Sequence, residues 1–146
     1  MTYVLDASSL LRMFENEAGA ERVEKVLSEA QVDEIGVVMS AVNWGEVAAC
    51  AWRKFGPVGV PRVMQHLLAL RIDAIPATSD RAVRAALLKA EYKLPYADSF
   101  AAEAAMAADH VLLTADFDFK LVEAIIRVEF LPAKNSGPQA IRAPAF

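Results

Sequence analysis

Short apolar runs rich in β-branched residues alternate with amphipathic segments along this chain of 146 residues. Five runs have the length and composition of buried strands, at 2–6, 35–40, 72–76, 110–114 and 125–131. The segments between them carry apolar residues at helical spacing. Strands that are separated by helices pair in parallel and are covered on both faces. The pattern therefore predicts an α/β fold, a three-layer α/β/α sandwich with a mainly parallel central sheet.

Glycine, proline and capping residues mark where the predicted helices begin and end. Gly56 and Pro57 end one helix, Thr78 or Ser79 caps another, and Pro95 directly precedes the last. We expect helices at 7–14, 20–30, 41–55, 60–70, 80–92 and 96–109. From Pro132 onward the chain has little periodicity, which predicts a peripheral tail at 132–146.

The composition excludes several classes of protein and of site. No stretch approaches the roughly 20 apolar residues of a membrane span, and no signal peptide is evident, so we expect a cytoplasmic protein that does not insert into a membrane. Cys50 is the single cysteine, which fits a reducing compartment. With only His66 and His110 beside it, the usual zinc site is excluded, and any metal should be a hard cation on oxygen ligands. The net charge of −4 argues against a broad basic surface for nucleic acid.

Four acidic residues stand at equivalent places in the predicted fold. Asp6 and Asp116 follow apolar strands, whereas Glu46 and Asp98 lie in the first turns of helices. The carboxyl ends of parallel strands and the starts of the following helices share one edge of the sheet, which is where ligands bind in open α/β folds. We therefore expect these four acids to meet there.

Each acid taken alone is explained as a helix cap, worth about 0.5–2 kcal/mol. Four together need another explanation, because two like charges ~4 Å apart repel by about 4 kcal/mol at an effective dielectric near 20. A bound divalent cation, Mg²⁺ or Mn²⁺, relieves this repulsion. Arg53 lies about two turns after Glu46 on nearly the same helix face, where it is either solvated or in contact with a substrate phosphate.

The motifs "LDASSLL", "SAVNWGEV", "LPYADSFAAEAAM" and "LLTADFDF", in this order, resemble those of PIN-domain proteins, and more narrowly the VapC-type toxins of bacterial toxin–antitoxin pairs. The resemblance extends to about Leu131, so we predict a PIN-like nuclease domain at 1–131. Asp6, Glu46, Asp98 and Asp116 fall where the family places its acidic quartet.

The resemblance implies an endoribonuclease that depends on Mg²⁺ or Mn²⁺ and cleaves structured RNA. It implies a homodimer and a cognate antitoxin whose C-terminal segment covers the site. Asp6, Asp98 and Asp116 would hold the metal, and Glu46 would ligate it or orient the attacking water. Ser8 and Thr114 match positions where the family often has a supporting hydroxyl, and Asp118 would be an outer, fifth acid.

Other functions share parts of this pattern. A stand-alone RNA-processing PIN nuclease would have the same four acids. A non-catalytic PIN-fold binding module would have lost at least one, and all four are present. A phosphotransferase of the haloacid dehalogenase kind also has Asp at the end of its first strand, but it needs a second Asp two residues later, where this chain has Ser8.

Overall fold

A computed structural model describes residues 1–134 of the chain. It contains five strands, five α-helices and one 3-10 helix within that range. The strands are β1 (Thr2–Leu5), β2 (Gly36–Ser40), β3 (Asp73–Ile75), β4 (Val111–Thr114) and β5 (Arg127–Phe130). The helices are α1 (Ala7–Phe14), α2 (Ala20–Gln31), α3 (Ala41–Ala69), α4 (Ser79–Tyr92) and α5 (Tyr96–Ala107), and the 3-10 helix is Phe117–Val122.

The strands form one fully parallel sheet in the order β3-β2-β1-β4-β5. Val4 in the central strand pairs with Val38 on one side and Leu112 on the other. The chain adds β2 and β3 on one side of β1 and then crosses to add β4 and β5 on the other. The point where the strand order reverses therefore lies between β1 and β4, and such a switch point is where ligands bind in open α/β sheets.

Helices cover both faces of the sheet and enclose two hydrophobic cores. Tyr3 and Leu5 pack beneath α1, α2 and α3, whereas Val4 points to the other face, beneath α4, α5 and the 3-10 helix. This alternation follows from the two-residue repeat of a strand, and all three side chains are buried because both faces are covered. The predicted three-layer α/β/α sandwich is confirmed.

The predicted break in α3 is present, but the helix resumes earlier than expected. Gly56 has a left-handed φ of 69° with ψ −170°, which interrupts the helix. Helical structure resumes at Pro57 and not at Val60, because the fixed φ of proline suits the first helical position. At the next predicted cap it is Thr78 that accepts a hydrogen bond from the backbone N–H of Arg81, at 3.3 Å.

The sequence "ADFDF" at 115–119 predicts a turn after the fourth strand, but the structure has a 3-10 helix in this segment. Residues 117–122 form the 3-10 helix. Asp116 caps it, because its carboxylate accepts a hydrogen bond from the backbone N–H of Asp118. The fifth strand consequently begins at Arg127, two residues later than predicted. Residues 135–146, most of the predicted tail, lie outside the described part of the chain. Within residues 1–134, no helix has the length and apolar character needed to cross a membrane.

Candidate metal centre

Asp6 is a buried carboxylate at the point where β1 passes into α1. It is 3% exposed, and its Oδ1 accepts a hydrogen bond from the backbone N–H of Ser9 at 3.0 Å, so it caps α1. The Ser8 hydroxyl donates to the same Oδ1 at 2.8 Å, and the Thr114 hydroxyl donates to Oδ2 at 2.6 Å. Hydroxyls and a helix N-terminus thus hold the Asp6 carboxylate in one orientation.

The same two hydroxyls join the end of β1 to the end of β4. Ser8 Oγ accepts a hydrogen bond from the backbone N–H of Ala115, and Thr114 Oγ1 accepts one from the N–H of Asp116, both at 3.0 Å. The register of β1 and β4 and the orientation of the two acids that follow them are therefore coupled. Both residues that the resemblance implied as supports therefore contact Asp6, and their role in a metal site stays a prediction.

Glu46 is held by a residue that sequence analysis missed. Asn43, one turn earlier on α3, is fully buried, and its Nδ2 donates to Glu46 Oε1 at 2.8 Å and to the backbone carbonyl of Ala97 at 3.1 Å. Ala97 precedes Asp98, so one amide group joins the segments that carry two of the acids. Asn43 Oδ1 is buried and accepts no hydrogen bond within the described residues. The sequence did contain a signal for the role of Asn43: it is an asparagine that stands three residues before an acid on a largely apolar helix.

The four predicted acids line a single cavity of about 280 Å³ at the switch point of the sheet. The junction of β1 and α1, helices α3 and α5, and the segment after β4 each contribute one of them, so the cavity depends on the whole fold. The lining residues are Asp6, Ala7, Ser8, Leu11, Glu46, Ala49, Cys50, Arg53, Asp98 and Asp116.

The carboxylates in this cavity perturb one another. Burial raises the pKa of Asp98 to about 8, and the negative charges of Asp116, Asp6 and Glu46 contribute to the rise. Burial also raises the pKa of Asp6, although the hydrogen bonds from Thr114 and Ser9 partly oppose it. A site that disfavours its own negative charge in this way is stabilised by a bound cation.

The donor set fits a hard divalent cation. Carboxylate oxygens of Asp98, Asp116 and the exposed Asp118 lie within 4.8 Å of one another, which places the predicted fifth acid beside two members of the quartet. All of these donors are oxygens, the ligands that Mg²⁺ and Mn²⁺ prefer. The assignment of Asp6, Glu46, Asp98 and Asp116 as catalytic residues and metal ligands stays a prediction.

Solved structures of toxin–antitoxin proteins share this fold. VapBC2 from Rickettsia felis, bound to promoter DNA, has a TM-score of 0.68 at 16% identity, covering 90% of this chain and 100% of that chain. VapC20 from Mycobacterium tuberculosis, a toxin that cleaves the sarcin–ricin loop, has a TM-score of 0.69 at 14% identity, covering 89% and 99%. A toxin–antitoxin complex from Klebsiella pneumoniae has a TM-score of 0.60 at 25% identity, covering 80% and 89%.

No curated protein has a sequence that matches this chain significantly. The model of one family does match: the PIN domain, over residues 3–125. The matched region includes all four acids, both supporting hydroxyls and Asp118. The chain belongs to the PIN domain family, a family of nucleases.

Proposed function

We propose that this protein is a metal-dependent endoribonuclease that acts as the toxin of a type II toxin–antitoxin pair. The observation that carries the proposal is the single cavity in which four carboxylates from distant parts of the chain meet. The PIN family and its VapC-type structural relatives support the same activity. Structured RNA is the proposed substrate, and the VapC20 toxin, which cleaves the sarcin–ricin loop, shares this fold.

Mg²⁺ or Mn²⁺ is the proposed cofactor. Asp6, Asp98 and Asp116 would hold it, with Asp118 at the outer edge of the site. The ion would supply electrophilic activation of the scissile phosphate and would lower the pKa of an attacking water. Carboxylates that repel one another in the free protein are suited to this role, because cation binding removes the repulsion.

The residues around the acids orient them for in-line attack on the phosphate. Asn43 holds one carboxylate oxygen of Glu46 and leaves the other to orient the attacking water. The hydroxyls of Ser8 and Thr114 hold both carboxylate oxygens of Asp6, so its orientation is fixed. The raised pKa of Asp98, about 8, favours its protonated form near neutral pH, and a bound cation would favour the carboxylate form instead.

The proposed protein partner is a small cognate antitoxin that covers this cavity, and the proposed assembly of the toxin is a homodimer. Several structural relatives are toxin–antitoxin complexes, from Rickettsia felis, Salmonella typhimurium and Haemophilus influenzae among others. Copurification with a small protein encoded next to it would distinguish the toxin from a stand-alone RNA-processing nuclease. A metal-dependent cleavage assay on the purified chain would distinguish both from a non-catalytic binding module.

The decisive experiment replaces Asp6 by Asn. Cleavage should fall by more than about 100-fold, since loss of supporting partners alone costs a metal site 10–100-fold. The melting temperature should stay the same or rise, because asparagine also caps helices and the substitution removes a buried charge.

Asp80→Asn is the matched control, because Asp80 stands in the first turn of α4 and does not line the acidic cavity. This variant should cleave RNA like the natural protein. Full activity of Asp6→Asn, or full activity of the natural protein in excess EDTA, would overturn the proposed mechanism.

A further inference from the structure

Arg53 is the one cationic side chain among the described residues that line the acidic cavity. It lies on α3 about two turns beyond Glu46, so its Cα is about 10 Å further along the helix axis. The side chain is exposed, and its guanidinium donates a hydrogen bond to Cys50 Sγ at 2.9 Å. The contact with sulfur holds the guanidinium at the cavity without neutralising it.

Arg53 does not neutralise the acids beside it. Within residues 1–134, Arg53 forms no ion pair, although five other arginines do. Arg53 nevertheless lines the same cavity as four carboxylates. The paired arginines are Arg22, Arg71, Arg81, Arg84 and Arg127. An arginine that only balanced local charge would be expected to contact one of these carboxylates, so charge balance alone does not explain its position.

We infer that Arg53 binds a backbone phosphate of the RNA that flanks the scissile phosphate. The inference rests on the proposed nuclease function and adds a phosphate-binding subsite to it. A guanidinium presents a planar set of donors that matches two phosphate oxygens. A chain with net charge −4 and an acidic site repels a polyanion, so a cation at the cavity is where the strand gains affinity.

The position of Arg53 favours a flanking phosphate over the scissile one. The reacting phosphate must lie against the acids, whereas the Arg53 guanidinium contacts Cys50 and forms no ion pair with any acid within residues 1–134. Its contribution should therefore be to binding of the strand and not to the chemical step. Such a contact raises affinity for any sequence, because phosphates are the same at every nucleotide.

The test compares Arg53→Gln with the natural protein in binding and in cleavage. Binding is measured by anisotropy of a short fluorescein-labelled single-stranded RNA of mixed sequence, with Ca²⁺ in place of Mg²⁺ and over a series of KCl concentrations. Arg53→Gln should weaken binding about 3- to 10-fold and reduce the slope of log Kd against log salt by about 0.7–1, the value for one phosphate contact. In cleavage, KM should rise by a similar factor while kcat changes less than about 2-fold.

Two further variants make the result specific. Arg62→Gln removes an exposed arginine from the same helix, away from the acidic cavity, and should leave the affinity and the salt slope unchanged. Arg53→Lys keeps the charge but loses the planar set of donors. It should therefore keep the slope of log Kd against log salt and bind RNA more tightly than Arg53→Gln, but less tightly than the natural protein. An unchanged salt slope in Arg53→Gln would overturn the inference, as would a fall in kcat with unchanged Kd.

The proposed function can fail separately from this inference. If the natural protein binds RNA but shows no metal-dependent cleavage, the nuclease proposal is wrong. The binding measurements then still test whether Arg53 contacts a phosphate. If the natural protein cleaves RNA, and Arg53→Gln and Arg62→Gln are alike in both RNA binding and RNA cleavage, the nuclease proposal stands and the phosphate subsite is wrong.

Discussion

Asp6 acts as a helix cap and lines the acidic cavity, and its position makes the two roles compatible. One carboxylate oxygen accepts the capping hydrogen bond from Ser9, and the other accepts from Thr114 on the neighbouring strand. The residue that ends a parallel strand and begins the next helix lies at the ligand-binding edge of the sheet. A cap at this place is therefore also available to a ligand.

Asn43 illustrates how a neutral buried side chain controls an acidic one. Asn43→Ala removes the hydrogen bonds to Glu46 and to the Ala97 carbonyl. We expect cleavage to fall about 10- to 100-fold, as is typical when a partner of a metal-site residue is lost. The free energy of unfolding should fall by only about 1–2 kcal/mol, because the variant also removes the buried Oδ1 that lacks a partner. Cleavage rates and urea denaturation measure the two effects.

A double-mutant cycle shows whether Asn43 acts through Glu46. In a Glu46→Gln background, Asn43→Ala should change the residual rate by less than about 2-fold, because the group that it orients is already impaired. Fully additive losses would contradict this role and would indicate that Asn43 contributes only to stability.

At the scale of elements, α5 is anchored through a buried ionic contact with α4. Glu103 is 1% exposed and accepts hydrogen bonds from Arg81 and Arg84, with N–O distances of 2.9 Å for the closest contact of each. A buried carboxylate without a partner is costly, and the two arginines provide Glu103 with one ion pair each. The same helix carries Asp98 in its first turn, so the contact with α4 helps to fix one wall of the acidic cavity.

The start of α2 requires glycine. Gly19 has a φ of 90°, and a Cβ at this position would lie 2.9 Å from the Cβ of Leu131. Gly19→Ala should therefore lower the free energy of unfolding by about 1–3 kcal/mol through backbone strain and overpacking. Gly45→Ala is the matched variant, because Gly45 lies within α3 and a Cβ at this position would meet nothing within 4 Å. This substitution should stabilise the protein by roughly 0.5–1 kcal/mol. Urea denaturation measures both, and changes of the same sign would contradict this account.

For the whole molecule, the acidic cavity makes stability depend on pH and on metal. An aspartate in the unfolded chain titrates near 3.9, whereas Asp98 in the fold titrates at about 8. Between these values the folded state binds more protons than the unfolded state, so the free energy of unfolding should fall as pH rises. In EDTA, we expect a lower melting temperature near pH 8 than near pH 6. Addition of Mn²⁺ should raise the melting temperature most at the higher pH, where protons no longer compete.

Asp98→Asn separates this effect from other titrations. The variant keeps the size of the side chain but removes the group with the raised pKa. It should melt at a higher temperature than the natural protein near pH 8 in EDTA and should lose much of the stabilisation by Mn²⁺. A natural protein that melts higher near pH 8 than near pH 6 without metal would show that repulsion in the cavity does not control stability.

Local sequence patterns were enough to predict the succession of strands and α-helices along the chain and the burial of both faces of the sheet, and the resemblance of four motifs indicated the family. The burial and the helix break depend on local composition and periodicity, because Val4 and Leu5 need opposite covered faces and Gly56 followed by Pro57 favours an interruption. The same local patterns identified Asp6, Glu46, Asp98 and Asp116 as candidates, because each stands at a strand end or a helix start.

The surroundings of those acids could not be predicted from local patterns. The hydrogen bond from Asn43 to the Ala97 carbonyl spans 54 residues of sequence, and the one from Thr114 to Asp6 spans 108. The raised pKa of Asp98 depends on burial and on charges that other elements supply. The place of Arg53 at the cavity also depends on how α3 packs against the sheet. Distances between side chains on different elements follow from packing of the whole chain, and local sequence patterns do not encode them.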